Sequence, residues 1–317
     1  MSTTNFLATT GAATALALSL AACGGDSSSG GGEGPLKGAS ITVGSKDFDE
    51  QLVLGNITKL ALENAGADVT DQINLGGTDA ARAALTSGKI DTYWEYNGTA
   101  WISFFKHTKP IPDRVKQYEA VRDQDLEENK LVWLAPAEFN NTYGIAFPTE
   151  AADELGNPTK VSDLGTLVAD DPDNASVCVE SEFSSRDDGL PGMEKAYGLK
   201  IPGDQVTVLD TALVYTAAAK QDPCNFGEVF TSDGRITALD LTVLEDDKGF
   251  FPLYNPSPVF TKDVYDTYGD DLKKIFDPIS AALTQDAINA MNEDVSVNLL
   301  QPDQVAEDWL KENGFID

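Results

Sequence analysis

Aromatic and hydroxyl side chains gather where one predicted strand ends. The stretch 88–101 (GKIDTYWEYNGTAW) starts with strand-forming residues and turns at Asn97-Gly98, which brings Tyr96, Thr99 and Trp101 close together. Ligands of α/β proteins bind at strand ends, so this turn is expected to form one wall of a pocket. Ring faces at such a wall attract a cation that has no N–H group, such as a quaternary ammonium. The alternative is that these rings fill the core.

A lysine occupies a comparable position earlier in the chain. Lys46 follows the first predicted strand and precedes the first predicted helix. A helix N-terminus beside a cation forms a site for an anionic group. The alternative for a single lysine on a turn is a solvated side chain.

Strands and helices alternate around these two turns. The patterns predict strands at 39–44, 69–74 and 93–96, separated by helices at 50–65 and 78–85. A charged helical arm follows at 102–130 and is expected to bury Val115, Tyr118, Val121 and Leu126. After Tyr143 the alternation starts again, with a helix from Ser162 and strands at 175–179, 206–209 and 228–230. The first alternation predicts a parallel α/β layer, and the alternation that starts again after Tyr143 agrees with a second lobe.

The N-terminal segment has the composition of an export signal. Residues 1–23 carry no charged side chain and end in Leu20-Ala21-Ala22-Cys23, which resembles a bacterial lipoprotein signal with Cys23 as the lipidated residue. The segment departs from that pattern because such signals normally open with Lys or Arg. Residues 24–38 are rich in Gly and Ser and are expected to form a flexible linker. The sequence thus predicts a domain tethered to the outer face of a membrane.

The net charge and the number of cysteines indicate which partners and which cellular compartment the protein has. The formal net charge of −30 makes nucleic acid an unfavourable partner. With Cys23 lipidated, Cys178 and Cys224 remain, and an exported chain with two cysteines favours a disulfide between them. The alternative is a pair of buried free thiols.

A series of motifs resembles one known family. In chain order they are GSKDFDEQ (44–51), LGGT (75–78), EYNGT (95–99), NTY (141–143), FSSRDDGLP (183–191), TSDGRI (231–236) and LEDDKG (244–249). The set is similar to the osmoprotectant-binding proteins of ABC importers, which take up glycine betaine, choline, carnitine and proline betaine. The resemblance covers the chain from Ile41 to its end.

The resemblance implies a fold and a set of site residues. The fold would be an α/β, two-lobed, type II periplasmic-binding-protein (Venus flytrap) fold with a ligand cleft between its lobes. Residues 39–141 and 259–317 would form the first lobe and residues 142–258 the second, with hinges near Asn141 and Val259. The implied site has an aromatic cage for the trimethylammonium group, a Lys–Thr–Arg grip on the carboxylate, and a hinge backbone that faces the ligand. The matching residues are Tyr96, Tyr143, Phe230 and Tyr254 for the cage, Lys46, Thr99 and Arg186 for the grip, and Asn141 at the hinge. Phe230 departs from the family, where many relatives have Tyr.

Three functions are compared. The favoured one is a monomeric, lipid-anchored binding protein that delivers a glycine-betaine-type osmolyte to an ABC permease, without catalysis, cofactor or metal. Choline is an alternative ligand that the sequence does not rank against the betaines. The second function is binding of another solute, such as a cationic amino acid. Such a ligand requires a carboxylate that faces its amine or guanidinium group, and the cage is expected to lack a buried acid, which argues against this function. The third is an extracellular enzyme. The sequence contains no recognisable nucleophile elbow or metal-ligand cluster, which argues against this function. The single histidine, His107, lies in a charged arm.

Overall fold

The computed structural model describes residues 34–317, so the predicted signal segment 1–23, Cys23 and linker residues 24–33 lie outside the described residues. Ten strands run through the described part of the chain. They are β1 (Ser40–Gly44), β2 (Asp68–Gln72), β3 (Thr92–Tyr96), β4 (Leu131–Trp133), β5 (Tyr143–Pro148), β6 (Val177–Val179), β7 (Val206–Val208), β8 (Phe226–Phe230), β9 (Leu241–Val243) and β10 (Pro256–Thr261).

The strands form two five-stranded mixed sheets. The first sheet has the order β2-β1-β3-β10-β4, with β1 parallel to β2 and β3, and β10 antiparallel to both of its neighbours. The second has the order β7-β6-β8-β5-β9, with β6 parallel to β7 and β8, and β5 antiparallel to β8 and β9. Each sheet is the centre of one lobe, and the predicted two-lobed α/β fold is confirmed. The expectation that the first layer is parallel is wrong for the sheet as a whole, because β10 enters the first sheet antiparallel to both of its neighbours.

Twelve helices accompany the sheets in the described residues. They are α1 (Asp49–Asn64), α2 (Thr78–Thr86), α3 (Asn97–Thr99), α4 (Arg114–Asn129), α5 (Val161–Asp170), α6 (Ser181–Ser185), α7 (Leu190–Tyr197), α8 (Thr211–Lys220), α9 (Arg235–Ala238), α10 (Lys262–Ala282), α11 (Gln285–Ser296) and α12 (Pro302–Glu312). A π-helical turn, Ala100–Phe104, continues α3. Within residues 34–317, none of the helices combines the length and the apolar character that a membrane span requires.

The start of the folded part lies earlier than the linker prediction placed it. Residues 34–38 form a turn in which Leu36 is fully buried and its N–H donates to Ala65 O at 2.9 Å. The Gly/Ser pattern therefore predicted too long a linker, because one apolar residue near its end packs against the end of α1.

Two chain segments cross between the sheets, and they run side by side. The first connects β4 to β5 and the second connects β9 to β10. Asn141 N–H donates to Tyr254 O at 3.2 Å, and Tyr254 N–H donates to Asn140 Oδ1 at 2.7 Å. Val259, near which the second hinge is expected, lies inside β10 and pairs with strands on both sides. The second crossing segment runs from the end of β9 to the start of β10 and meets the first crossing segment at Tyr254.

Helix α4 buries polar side chains that the sequence pattern did not single out. Val121 is buried as expected, whereas Val115 is 56% and Leu126 38% exposed, so the expectation for those two residues is wrong. Asp125 is buried instead, because Arg82 and Trp133 Nε1 satisfy its carboxylate at 2.6–2.9 Å. A polar residue with buried partners replaces the apolar contact that helical periodicity predicts.

Candidate functional site

A cavity of about 540 Å³ lies between the ends of the strands of the two sheets. Elements of both lobes line it, among them the turn after β1, the ends of β3 and β8, and the start of α2. Eight lining residues are those that the sequence analysis assigned to a site: Lys46, Tyr96, Thr99, Asn141, Tyr143, Arg186, Phe230 and Tyr254. The structure thus brings all eight together, and their role towards a ligand stays a prediction.

Aromatic rings form much of the cavity wall. The Tyr143 ring centroid lies 5.1 Å from that of Phe230 and 5.4 Å from that of Tyr254. Phe48 stacks between the two lobes, with its centroid 5.5 Å from that of Phe230 and 6.2 Å from that of Tyr96. Sequence reasoning missed Phe48, although it stands in the GSKDFDEQ motif beside Lys46 as an apolar residue in a polar turn.

Trp101 does not belong to this wall, so the expectation drawn from its proximity to Tyr96 is wrong. The helical turn that follows β3 carries Trp101 onto the His107 ring, at a centroid distance of 3.5 Å, and its Nε1 donates to Lys109 O. Gly98 in this turn is needed for space. A Cβ at Gly98 would lie 2.6 Å from Leu253 O, so the turn needs glycine for close packing against the second crossing segment.

Lys46 is buried rather than solvated. Its Nζ donates to Glu95 Oε1 at 2.8 Å and lies 5.0 Å from the centroid of the Tyr96 ring. The lysine therefore lies between the Tyr96 ring and a buried carboxylate of β3. One of its three N–H groups goes to Glu95, which leaves others to point at a ligand.

Arg186 also has protein partners. Nε and Nη2 donate to Asp188 at 2.8 and 2.6 Å, and Nη1 donates to Glu182 Oε2 at 3.0 Å. The guanidinium carbon lies 6.0 Å from the Tyr143 ring centroid, and the Tyr254 hydroxyl donates to Asp188 at 2.7 Å. Two of the five N–H groups of Arg186 are free of these three bonds.

A carboxylate of the second lobe reaches the N-terminus of α2 in the first lobe. Glu182 Oε1 accepts from the Thr78 N–H at 2.6 Å. Burial opposes ionisation of Glu182, but the charges of Lys46 and Arg186 and the Thr78 N–H together hold the pKa of Glu182 below its ordinary value. Glu182 is thus an anion that bridges the two lobes beside the cavity.

Acidic residues lie beside the aromatic rings, contrary to the expectation from the sequence. Asp188 is buried against Tyr254, and Glu180 and Glu182 line the cavity. The argument against a cationic amino acid, which relied on the lack of a buried acid, is therefore wrong in its premise. A positive ligand group would meet both ring faces and carboxylates in this cavity.

Asn141, which is expected at a hinge, and Thr99 complete the lining. Both are buried, Asn141 on the first crossing segment and Thr99 in α3. Asn141 Nδ2 donates to Glu50 Oε1 at 3.0 Å, so its side chain is held from behind the cavity. Residues 34–317 contain no cluster of His, Cys, Asp and Glu side chains that could hold a metal ion.

Cys178 and Cys224 lie in the second lobe, away from the cavity. Cys178 of β6 and Cys224, which precedes β8, form a disulfide and are both buried. Val214 and Ala217 of α8 pack around them. The bond therefore ties the segment before β8 to the neighbouring strand of the second sheet.

Comparison with known proteins gives a consistent result. Residues 39–312 match the family model described as the substrate-binding domain of the ABC-type glycine betaine transport system. The chain is 37% identical to the glycine-betaine-binding protein of Pseudomonas aeruginosa, over 90% of this chain and 91% of that protein. It is 36% identical to the glycine betaine-binding protein YehZ of Escherichia coli, over 89% and 93% of the two chains.

Solved structures agree with this assignment. The structure of apo YehZ from Escherichia coli superposes with a TM-score of 0.64 at 35% identity, covering 87% of this chain and 99% of that one. A glycine betaine/carnitine/choline ABC transporter structure superposes with a TM-score of 0.69 at 26% identity, covering 88% and 99%. The chain therefore belongs to the family of substrate-binding proteins of ABC-type glycine betaine transport systems.

Proposed function

We propose that this protein captures a quaternary-ammonium solute of the glycine-betaine type in the cavity between its lobes and delivers it to an ABC permease, without catalysis. The observation that carries the proposal is the aromatic wall formed by residues of both lobes: Phe48, Tyr96, Tyr143, Phe230 and Tyr254. The relatives named as glycine-betaine-binding proteins support it.

The chemistry of the ligand explains why rings are suited to it. A trimethylammonium group has no N–H, so hydrogen-bond acceptors gain little from it, whereas each desolvated ring face contributes about 0.5–2 kcal/mol. Carboxylates nearby, such as Glu180 and Glu182, add long-range attraction for the cation. Several faces together discriminate against ammonium ions that would lose their hydration without gaining hydrogen bonds.

The carboxylate end of a betaine is assigned to Lys46, Thr99 and Arg186. Lys46 and Arg186 are partly neutralised by Glu95, Asp188 and Glu182. Their remaining N–H groups and the Thr99 hydroxyl are the donors available to the ligand. We infer from this neutralisation that the grip acts through directed hydrogen bonds more than through net positive charge.

Binding is coupled to the arrangement of the two lobes. The first lobe contributes Lys46 and Tyr96 and the second contributes Tyr143 and Arg186, so a ligand between them favours the closed arrangement. We assign two parts of the chain to the first lobe: residues 39–141 and the segment that returns to it through β10. The chain between these two parts is assigned to the second lobe.

The cellular context follows from the N-terminal sequence. Lipidation at Cys23 and a linker that follows it would tether a monomeric binding protein to the outer face of the cell membrane, close to its permease. Mass spectrometry of the membrane-extracted protein tests this assignment, with a diacylglyceryl modification on Cys23 as the expected result. An unmodified N-terminus upstream of Cys23 would contradict it.

Isothermal titration of a ring variant tests the function. Tyr143→Leu keeps apolar volume but removes a ring face, and we expect glycine betaine affinity to fall about 2- to 30-fold, which corresponds to roughly 0.5–2 kcal/mol. Tyr118→Leu is the matched control, because Tyr118 of α4 bonds Trp133 O away from the cavity. Equal effects of the two substitutions would contradict the cage.

A further inference from the structure

Glu50 is a buried carboxylate behind the aromatic wall. It is the second residue of α1 and is 3% exposed. Oε1 accepts from the Tyr96 hydroxyl at 2.7 Å and from Asn141 Nδ2 at 3.0 Å. Oε2 accepts from Asn292 Nδ2 at 2.9 Å and lies 2.7 Å from Ser232 Oγ. Both oxygens therefore have two polar partners.

The partners come from separate parts of the fold. Tyr96 ends β3, and Asn292 belongs to α11, which packs on α1 in the first lobe. Asn141 lies on the first crossing segment, and Ser232 follows β8 of the second lobe. Ser232 Oγ also lies 2.8 Å from Asn141 Oδ1, so Glu50, Asn141 and Ser232 form a closed ring of contacts. One carboxylate thus connects the first lobe, a crossing segment and the second lobe.

We propose that Glu50 is a positioning residue for ligand binding, which fixes the Tyr96 ring in the cage and holds the turn after β8 against the first lobe. The inference rests on the proposed function, since it concerns affinity at that site. Glu50 acts through Tyr96, Asn141 and Ser232, which are its contacts on the cavity side.

The chemistry of the partners requires a carboxylate here. Tyr96, Asn141 and Asn292 present donors, and the Ser232 hydroxyl can add a fourth. Glutamine has one carbonyl oxygen, and its NH₂ group would face donors on the other side. Leaving buried donors unpaired is unfavourable, so Glu50→Gln should release either the Tyr96 side or the Asn292–Ser232 side of the network.

The test is a double-mutant cycle on glycine betaine affinity by isothermal titration. We expect Glu50→Gln to weaken binding at least tenfold, and to weaken it at least threefold less in a Tyr96→Phe background, which lacks the hydroxyl. Thr58→Val is the matched control, since Thr58 joins the same helix to the same strand through Trp94 Nε1 at 2.8 Å, away from the cavity. A control that lowers the melting temperature but not the affinity shows that instability alone does not weaken binding.

The possible results separate the positioning role of Glu50 from the proposed function. If the wild-type protein binds glycine betaine and Glu50→Gln binds within threefold of it, the positioning role is wrong and the proposed function stands. If Glu50→Gln does not fold, Ser232→Ala replaces it, with an expected three- to tenfold loss of affinity; unchanged affinity would overturn the proposal.

If the wild-type protein binds no quaternary-ammonium solute, the proposed function fails and a ligand-free readout decides the inference. Amide hydrogen exchange should then rise in Ser232→Ala at peptides covering 138–143 and 231–236 and stay unchanged in Thr58→Val. Equal exchange in Ser232→Ala and wild type would overturn the positioning role.

Discussion

Glu228 offers a quantitative test of the electrostatics beneath the cavity. The side chain belongs to β8, is almost fully buried, and accepts from the Glu180 N–H at 2.8 Å. Burial above all, with the nearby charges of Glu180 and Glu182, raises the pKa of Glu228 from 4.5 to about 8, although the Glu180 N–H and Arg186 oppose the shift. The folded protein therefore keeps a proton on Glu228 at neutral pH.

The raised pKa makes stability depend on pH with a definite sign. Between pH 4.5 and about 8 the unfolded chain ionises Glu228 while the folded chain does not, so the free energy of unfolding falls as pH rises. Above about pH 8 both states are ionised and the full penalty remains. A shift of this size corresponds to about 5 kcal/mol at about 1.4 kcal/mol per pH unit.

Glu228→Gln removes the titration and keeps an oxygen for the Glu180 N–H. We expect the stability of the wild-type protein relative to this variant to fall by about 4 kcal/mol between pH 5 and pH 9. The assay is urea unfolding of both proteins across this range. Any constant cost of the new amide cancels in the comparison, because only the change with pH is used.

Glu312→Gln serves as the control, since Glu312 is exposed at the end of α12. It replaces a carboxyl group by an amide at an exposed position and so measures the effect of the substitution itself. Parallel pH profiles of wild type and Glu228→Gln would refute the reasoning, because they would mean that Glu228 ionises in the folded protein much as it does in the unfolded chain.

Three further predictions concern other parts of the molecule. Arg82→Ala leaves the buried carboxylate of Asp125 without its cation and should lower the free energy of unfolding by about 3–5 kcal/mol, measured by urea titration; a loss under 1 kcal/mol would contradict it. Replacing Cys178 and Cys224 by serine opens a loop with a sequence separation of 46 and should cost about 4 kcal/mol, whereas an unchanged urea midpoint would mean that the bond does not stabilise the fold. Thr99→Val should weaken glycine betaine about fivefold, near 1 kcal/mol for one hydrogen bond, and leave tetramethylammonium within twofold; equal losses in calorimetry would remove Thr99 from the carboxylate grip.

The two sheets and the residues gathered at the cavity could be anticipated because local patterns and short motifs carry them. The strand–helix alternation predicts the first lobe closely, and the motif containing Tyr96 and Thr99 lies at the cavity as expected. The motif around Arg186 does so as well.

Partners of the charged residues could not be anticipated in the same way. Lys46 meets Glu95 and Glu182 meets the Thr78 N–H across long sequence separations, which local patterns do not contain. Trp101 lies against His107 and not in the wall because a helical turn follows β3, and a strand-end argument does not predict such a turn. Single aromatic positions are predictable only when the local backbone is known.

The direct test of the central claim is a crystal structure of the protein grown with glycine betaine. The account predicts the trimethylammonium group about 4–6 Å from the ring centroids of Tyr96, Tyr143 and Tyr254, the range of cation–ring contacts. It also predicts the carboxylate within hydrogen-bonding distance of Lys46 or Arg186. A ligand bound with its carboxylate among the rings, or a cavity that stays empty at saturating glycine betaine, would contradict the account.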